Sequence, residues 1–187
     1  MARRLLIFWI LVSASAFAQF GIPTQLPRGT TDADIRNKVA QYCRLDYMGA
    51  RLSDQEWPKL KPVVTWTSNP DFPLIDVVSR YDVSTSVGSE HGKWTAVVTY
   101  HMLGQFTLGQ GYSTELAGND KQVDFTVQEI NGELKVIDIN PNYPRPSRAV
   151  MLKWLQEKQS AADEKTKVIY DDAIRALSAQ SGSPFAK

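Results

Sequence analysis

The chain has 187 residues, 43% of them hydrophobic and 22% charged, with 21 lysines and arginines set against 20 aspartates and glutamates. That length and apolar content suit one domain with a real core, and a formal charge of +1 lacks the basic excess with which a nucleic-acid binder engages phosphates. The single cysteine, Cys43, excludes an intrachain disulfide, so packing has to hold the fold.

Arg3 and Arg4 precede an unbroken apolar run from Leu5 to Val12, and Ala16-Phe17-Ala18 follows with the small residues that signal peptidase accepts. Residues 1–18 therefore predict a secretory signal cleaved after Ala18 and a protein exported to the periplasm or beyond. No later apolar run approaches the ~20 residues of a membrane span, so no membrane association is expected after cleavage.

Residues 19–30, with two prolines and two glycines, read as a linker. Thr31 is a good N-cap for a first helix, with Asp32 and Asp34 near the positive end of its dipole. Its apolar stripe runs Ile35, Val39, Cys43, Tyr47, with Leu52 near the end; this places Cys43 in the core as a buried thiol. Ser53 to Glu56 has the form of a capping box and predicts a second, short helix that buries Trp57 and Leu60 and ends at Pro62. Residues 63–73 read as an ordered loop pinned by Trp66 and Phe72.

Beyond Pro73 the period falls to two. Ile75, Val77, Tyr81, Val83 and Val87 alternate with polar residues, interrupted by Val78 on the polar side. Trp94, Ala96, Val98, Tyr100, Met102 and Phe106 mark one face of a second long strand. Val123, Phe125 and Val127 belong to a third, and residues 134–139 form a fourth. Asn131-Gly132 between the last two is a strong hairpin signal, because a type I′ turn needs positive φ at both central positions. Ser147 caps a further helix carrying Val150, Met151, Trp154 and Leu155. The stretch 156–167 is helix-forming without needing a core, and Val168, Ile169, Ala173, Ile174 and Leu177 restore an apolar stripe. That stripe has three destinations: a fold-back onto residues 147–156, a homodimer or protein partner reached through Val168, Ile169, Ala173 and Leu177, or a frayed tail. Gly182 and Pro184 make 181–187 a disordered tail.

The expected class is α+β: N-terminal helices on a curved four-stranded antiparallel sheet over 31–146, plus a C-terminal helical extension over 147–180. The segments 34–52, 53–60 and the hairpin 123–138 resemble the nuclear transport factor two-like superfamily, which includes SnoaL-type cyclases; the cystatin fold, one helix wrapped by four strands, has a similar pattern. The resemblance implies a pocket between sheet and helices, with Tyr47, Trp57, Tyr81, Trp94 and Phe125 as candidate lining residues. It also implies acid-base chemistry by pocket-facing Tyr, Asp or His, for which Tyr100, His101 and Asp138 are candidates. Two histidines and one cysteine offer no zinc spacing, and no G-x-S-x-G, H-E-x-x-H or phosphate-binding glycine loop occurs, so neither metal nor cofactor is expected. Three functions follow: an exported binder of a small apolar ligand or partner, a lyase or isomerase working through Tyr/Asp, and an interaction module using the C-terminal helix.

Overall fold

A computed structural model describes residues 29–84, 89–90, 92–140 and 142–180, without the side chains of 89, 90, 138 and 140. The expected signal peptide, most of the linker, Val87, His91 and the C-terminal tail lie outside the described residues, as does the side chain of Asp138. The elements run α1 (Asp32–Tyr47), α2 (Trp57–Leu60), β1 (Leu74–Val83), β2 (Ser89–Glu90), β3 (Lys93–Thr107), β4 (Gly111–Ser113), β5 (Asp120–Ile130), β6 (Glu133–Asn140), α3 (Arg148–Ala161) and α4 (Glu164–Ala179). The class is α+β.

One antiparallel sheet has the order β1-β3-β5-β6, and the short β2 and β4 pair with β3. Asn131 and Gly132 have φ of 54° and 80°, so the β5–β6 link is the tight turn its sequence requires. Both outer edges are covered: Asp76 and Val78 donate backbone N–H bonds to Pro144 and Pro146, while Val136 exchanges backbone bonds with Val63 and Thr65. Pairing of this kind leaves little open ladder for another chain.

Helix α1 starts with a true capping box, in which Thr31 and Asp34 bond reciprocally. The box read at Ser53 to Glu56 does not form. The short α2 begins only at Trp57 with no side-chain cap, because Glu56 pairs with Lys59 and Ser53 accepts from Gln55. Pro58 then occupies the first turn, where its missing N–H costs nothing.

One face of the sheet is covered by α1, and one end of the other face by α3 and α4. Ile35, Val39, Tyr42 and Cys43 of α1 pack with Ala96, Val98, Tyr100, Met102, Phe125 and Val127. On the opposite face, Met151, Trp154 and Leu155 of α3 and Ala173 and Leu177 of α4 pack with Ile75, Val77 and Phe106. Helices α3 and α4 are thus a hairpin folded back on the sheet. Asp163, whose carboxylate accepts from the Thr166 N–H, caps the second helix, and Gln159 donates across to Asp171. Of the residues considered for a partner contact, Ala173 and Leu177 are buried in this core, Ile169 packs against it, and Val168 is exposed.

Two of the alternation patterns need correction, and bulges are the reason. Leu103 is an extra residue on β3 and Ser79 an extra residue on β1. Each bulge flips the side-chain parity, so Phe106 lies in the α3–α4 core and not on the Met102 face. The same shift explains Val78: it faces α1, as Tyr81 and Val83 do two turns of the pleat later, whereas Ile75 and Val77 face α3 and α4.

Candidate functional site

The chemistry-bearing groups fall into three places. The first is buried between α1 and the segment that returns from β6 to α3. Asp46, Arg51, Asp76 and Arg145 are all at most 1% exposed. Asp76 Oδ1 accepts from Gln105 Nε2 at 2.8 Å, and its Oδ2 takes Lys121 Nζ at 2.8 Å with Arg145 Nε at 3.8 Å. The backbone N–H of Arg145 donates to Asp46 Oδ2 at 3.1 Å, and its guanidinium lies 4.8 Å from the Tyr100 ring centre. Arg51 donates Nε to Asn69 and Nη1 to Asn142 and faces the Trp66 and Phe72 rings. Burial holds the Asp46 carboxyl above the usual carboxylate range, with Arg51 and Arg145 opposing the shift.

These groups join α1, β1, β3, β5 and the 142–146 segment, with Asp76 shared by Lys121 and Arg145, Asp46 held by a backbone N–H and Arg51 by two asparagine amides. Networks of this kind specify how elements dock more than they perform turnover. Cys43 sits at the edge of the cluster, its Sγ 3.2 Å from Tyr100 Oη. Burial pushes its thiol up to about 12, so it stays protonated and unreactive at ordinary pH. Iodoacetamide at pH 8 should leave Cys43 unmodified in the folded protein and alkylate it fully in urea, read by intact mass. Rapid native labelling would contradict this burial.

The second place is the sheet surface at His101. Its Nε2 lies 2.8 Å from Asp82 and its Nδ1 2.6 Å from Asp120, so the imidazole cross-links the strands on either side. Both ring nitrogens are engaged by carboxylates, which leaves the ring a tie between strands.

The third place is a groove of about 910 Å³ where the end of α1, the β1–β3 bulges and the α3–α4 hairpin meet. Tyr47, Leu103, Ala117, Leu152 and Ala179 supply apolar surface, and Ser79, Arg80, Arg148 and Gln180 supply polar groups. Its volume is that of small-molecule sites, and its mostly apolar lining with a few polar groups is the usual makeup of one. The bulges shape one wall. At Gly104, φ is +153°, and the Tyr112 ring lies across the position a Cβ would fill. Tyr112 Oη donates to the Leu103 carbonyl at 2.8 Å, and Gln180 Nε2 donates to the same oxygen at 2.8 Å, which fixes the end of α4. A second groove of about 1040 Å³ beside Trp154 and Tyr170 is ringed by Asp54, Asp71, Glu157 and Lys158 and is far more polar.

The residues expected to line a pocket separate into two aromatic chains. Tyr47, Tyr81 and Tyr100 touch in series, at centroid distances of 5.8 and 6.2 Å, and of these Tyr47 borders the groove, its hydroxyl donating to the Ser79 carbonyl at 2.8 Å. Trp57 stacks on Trp66, which meets Tyr42, which in turn meets Phe125. Phe125 is fully buried, while Trp94 packs at the rim of the same core. Tyr100 bonds Cys43 inside the core, whereas His101 joins carboxylates on the other face, so these two are not brought together. Asp138 pairs in register with Thr126, just past an extra residue at Ile137.

Sequence reasoning missed Asp46, Asp76 and Arg145. A signal existed for the first, since Asp46 falls three and four residues after Cys43 and Tyr42 on the buried stripe. Among the described residues, no group of three or more His, Cys, Asp or Glu could hold a metal ion, and no helix is long and apolar enough to cross a membrane. No family model, curated protein or solved structure matches the chain.

Proposed function

We propose that this chain is an exported protein that binds a small apolar ligand in the groove between the α1 end and the α3–α4 hairpin. The observation that carries the reading is the groove itself, about 910 Å³ and mostly apolar, at a junction of α1, β1, β3, α3 and α4 whose geometry is fixed by bulges and by Tyr112. The interior under α1 is, by contrast, filled with the side chains of Tyr42, Phe125, Met102 and Val98. On this reading the scaffold is a cone-type α+β fold like that of the nuclear transport factor two-like superfamily, supported by one long helix lying on an antiparallel sheet that bulges bend. The C-terminal hairpin adds the wall that makes the site. Export rests on the charged, apolar and small-residue order of residues 1–18.

Calorimetric titration with octanol tests the binding claim. Ala149 is exposed on α3 and lines the groove, so Ala149→Trp should fill it and abolish octanol binding without disturbing either core. Ala161→Trp, in the polar groove, should leave binding intact. Equal binding by wild type and the Ala149 variant would remove this groove as the site. Export has its own readout: N-terminal sequencing of the protein from the exported fraction should begin at Gln19, and a full-length chain confined to the cytosol would contradict it.

A further inference from the structure

Among the described residues the charges lining the groove are all of one sign, with Arg80 and Arg148 and no aspartate or glutamate. The two arginines differ in how their charge is met. Arg80 Nε lies 4.0 Å from Asp82 Oδ2, so it has a carboxylate beside it. Arg148 is half-buried, donates Nη2 to the Ser178 carbonyl at 2.7 Å, and has a buried Nε with no hydrogen-bond partner. It forms no ion pair among the described residues. Among the described residues the two fully buried cations are both held by partners: Arg145 lies by Asp76, and Arg51 by Asn69, Asn142, Trp66 and Phe72.

A buried guanidinium Nε with no hydrogen-bond partner is costly, and the planar donor set of the group matches the two oxygens of a carboxylate bidentately. The rest of the wall near it, Leu103, Leu152 and Ala179, accepts a hydrocarbon chain.

We propose that the ligand of this groove is a single-chain fatty carboxylate whose head group is held by Arg148 and whose chain lies along Leu103 and Leu152. The inference rests on the groove reading above and specifies its ligand class. A neutral amphiphile fills the same apolar surface but leaves the guanidinium unmet. A cationic one meets like charge at both arginines.

Titration calorimetry with octanoate, octanol and octylammonium separates the possibilities. Wild type should bind octanoate at least ten-fold more tightly than octanol, and octylammonium most weakly. Arg148→Gln should weaken octanoate roughly ten- to hundred-fold, the range for a charge-assisted hydrogen bond, and leave octanol unchanged; Arg148→Lys should keep part of the preference. Because Arg148 also ties α3 to Ser178 of α4, thermal melts of each variant accompany the titrations. If the glutamine variant does not fold, the wild-type head-group ranking and its loss in high salt decide the matter. Equal binding of octanoate and octanol by wild type overturns the head-group assignment and leaves the groove as an apolar site. Binding of none of the three, or binding that Ala149→Trp does not touch, overturns the groove reading and this inference together.

Discussion

Replacing Asp76 with alanine should destabilise the protein by about 3–5 kcal/mol, the range for breaking a buried ion pair from one side. The carboxylate is fully buried near the start of β1, accepts from Gln105, and faces both Lys121 and Arg145. Its loss leaves the fully buried Arg145 and the part-buried Lys121 without the carboxylate they share. The substitution also removes the side-chain tie between the sheet and residues 142–146, which run along the β1 edge to start α3, and leaves only the backbone bonds to Pro144 and Pro146 on that edge. Asp76→Asn keeps an acceptor for one donor and should cost less than alanine. Urea unfolding followed by circular dichroism would read both, and a loss below about 1 kcal/mol for the alanine variant would show that the cluster relaxes or hydrates.

Gly104→Ala is expected to cost roughly 2–5 kcal/mol, combining a strained backbone with overpacking. A Cβ there would stand 2.5 Å from the Ser113 carbonyl oxygen and 2.5 Å from Tyr112 Oη. The tyrosine cannot swing away without giving up its bond to Leu103, and the Ser113 carbonyl belongs to the β4 backbone. Gly109 provides the comparison. Its φ is +78° but nothing lies within 4 Å, so Gly109→Ala carries only the left-handed backbone cost of about 1 kcal/mol. A Gly104 variant no worse than the Gly109 variant would mean that the Tyr112 contact is soft. Since Tyr112 and Gln180 converge on the Leu103 carbonyl, the Gly104 variant should also loosen the groove wall and weaken ligand binding.

Much of the fold was legible in local chemistry. Thr31 and Ser147 announced their helices by capping, the period-two runs located all four long strands, and Asn131-Gly132 fixed a turn whose backbone demands those residue types. What local patterning could not show was where parity breaks. Ser79, Leu103 and Ile137 are extra residues in their strands, and bulges leave no mark in hydrophobicity beyond the interruption at Val78 and the glycine at 104. Asp163 was a cap signal inside a run that otherwise read as continuous helix, and it is where the C-terminal hairpin turns. The 111–113 strand is too short to have a period.

The groove was less legible than the fold, for a physical reason. Its lining joins residues from the end of α1, two bulges and both ends of a helical hairpin, so no spacing within one element encodes it. Tyr47 was the one lining residue named from its position on a stripe. Arg148 reads in sequence as an ordinary first-turn helix residue, and only the fold shows that, among the described residues, no carboxylate pairs with it.

Amide chemical-shift mapping during titration with octanol tests the central claim most directly. The account expects changes concentrated at Ser79, Arg80, Leu103, Gly118, Arg148 and Ala149, around the groove. Changes centred on Trp57, Trp94, Phe125 and Val127, with the groove residues silent, would place the ligand under α1 and contradict it.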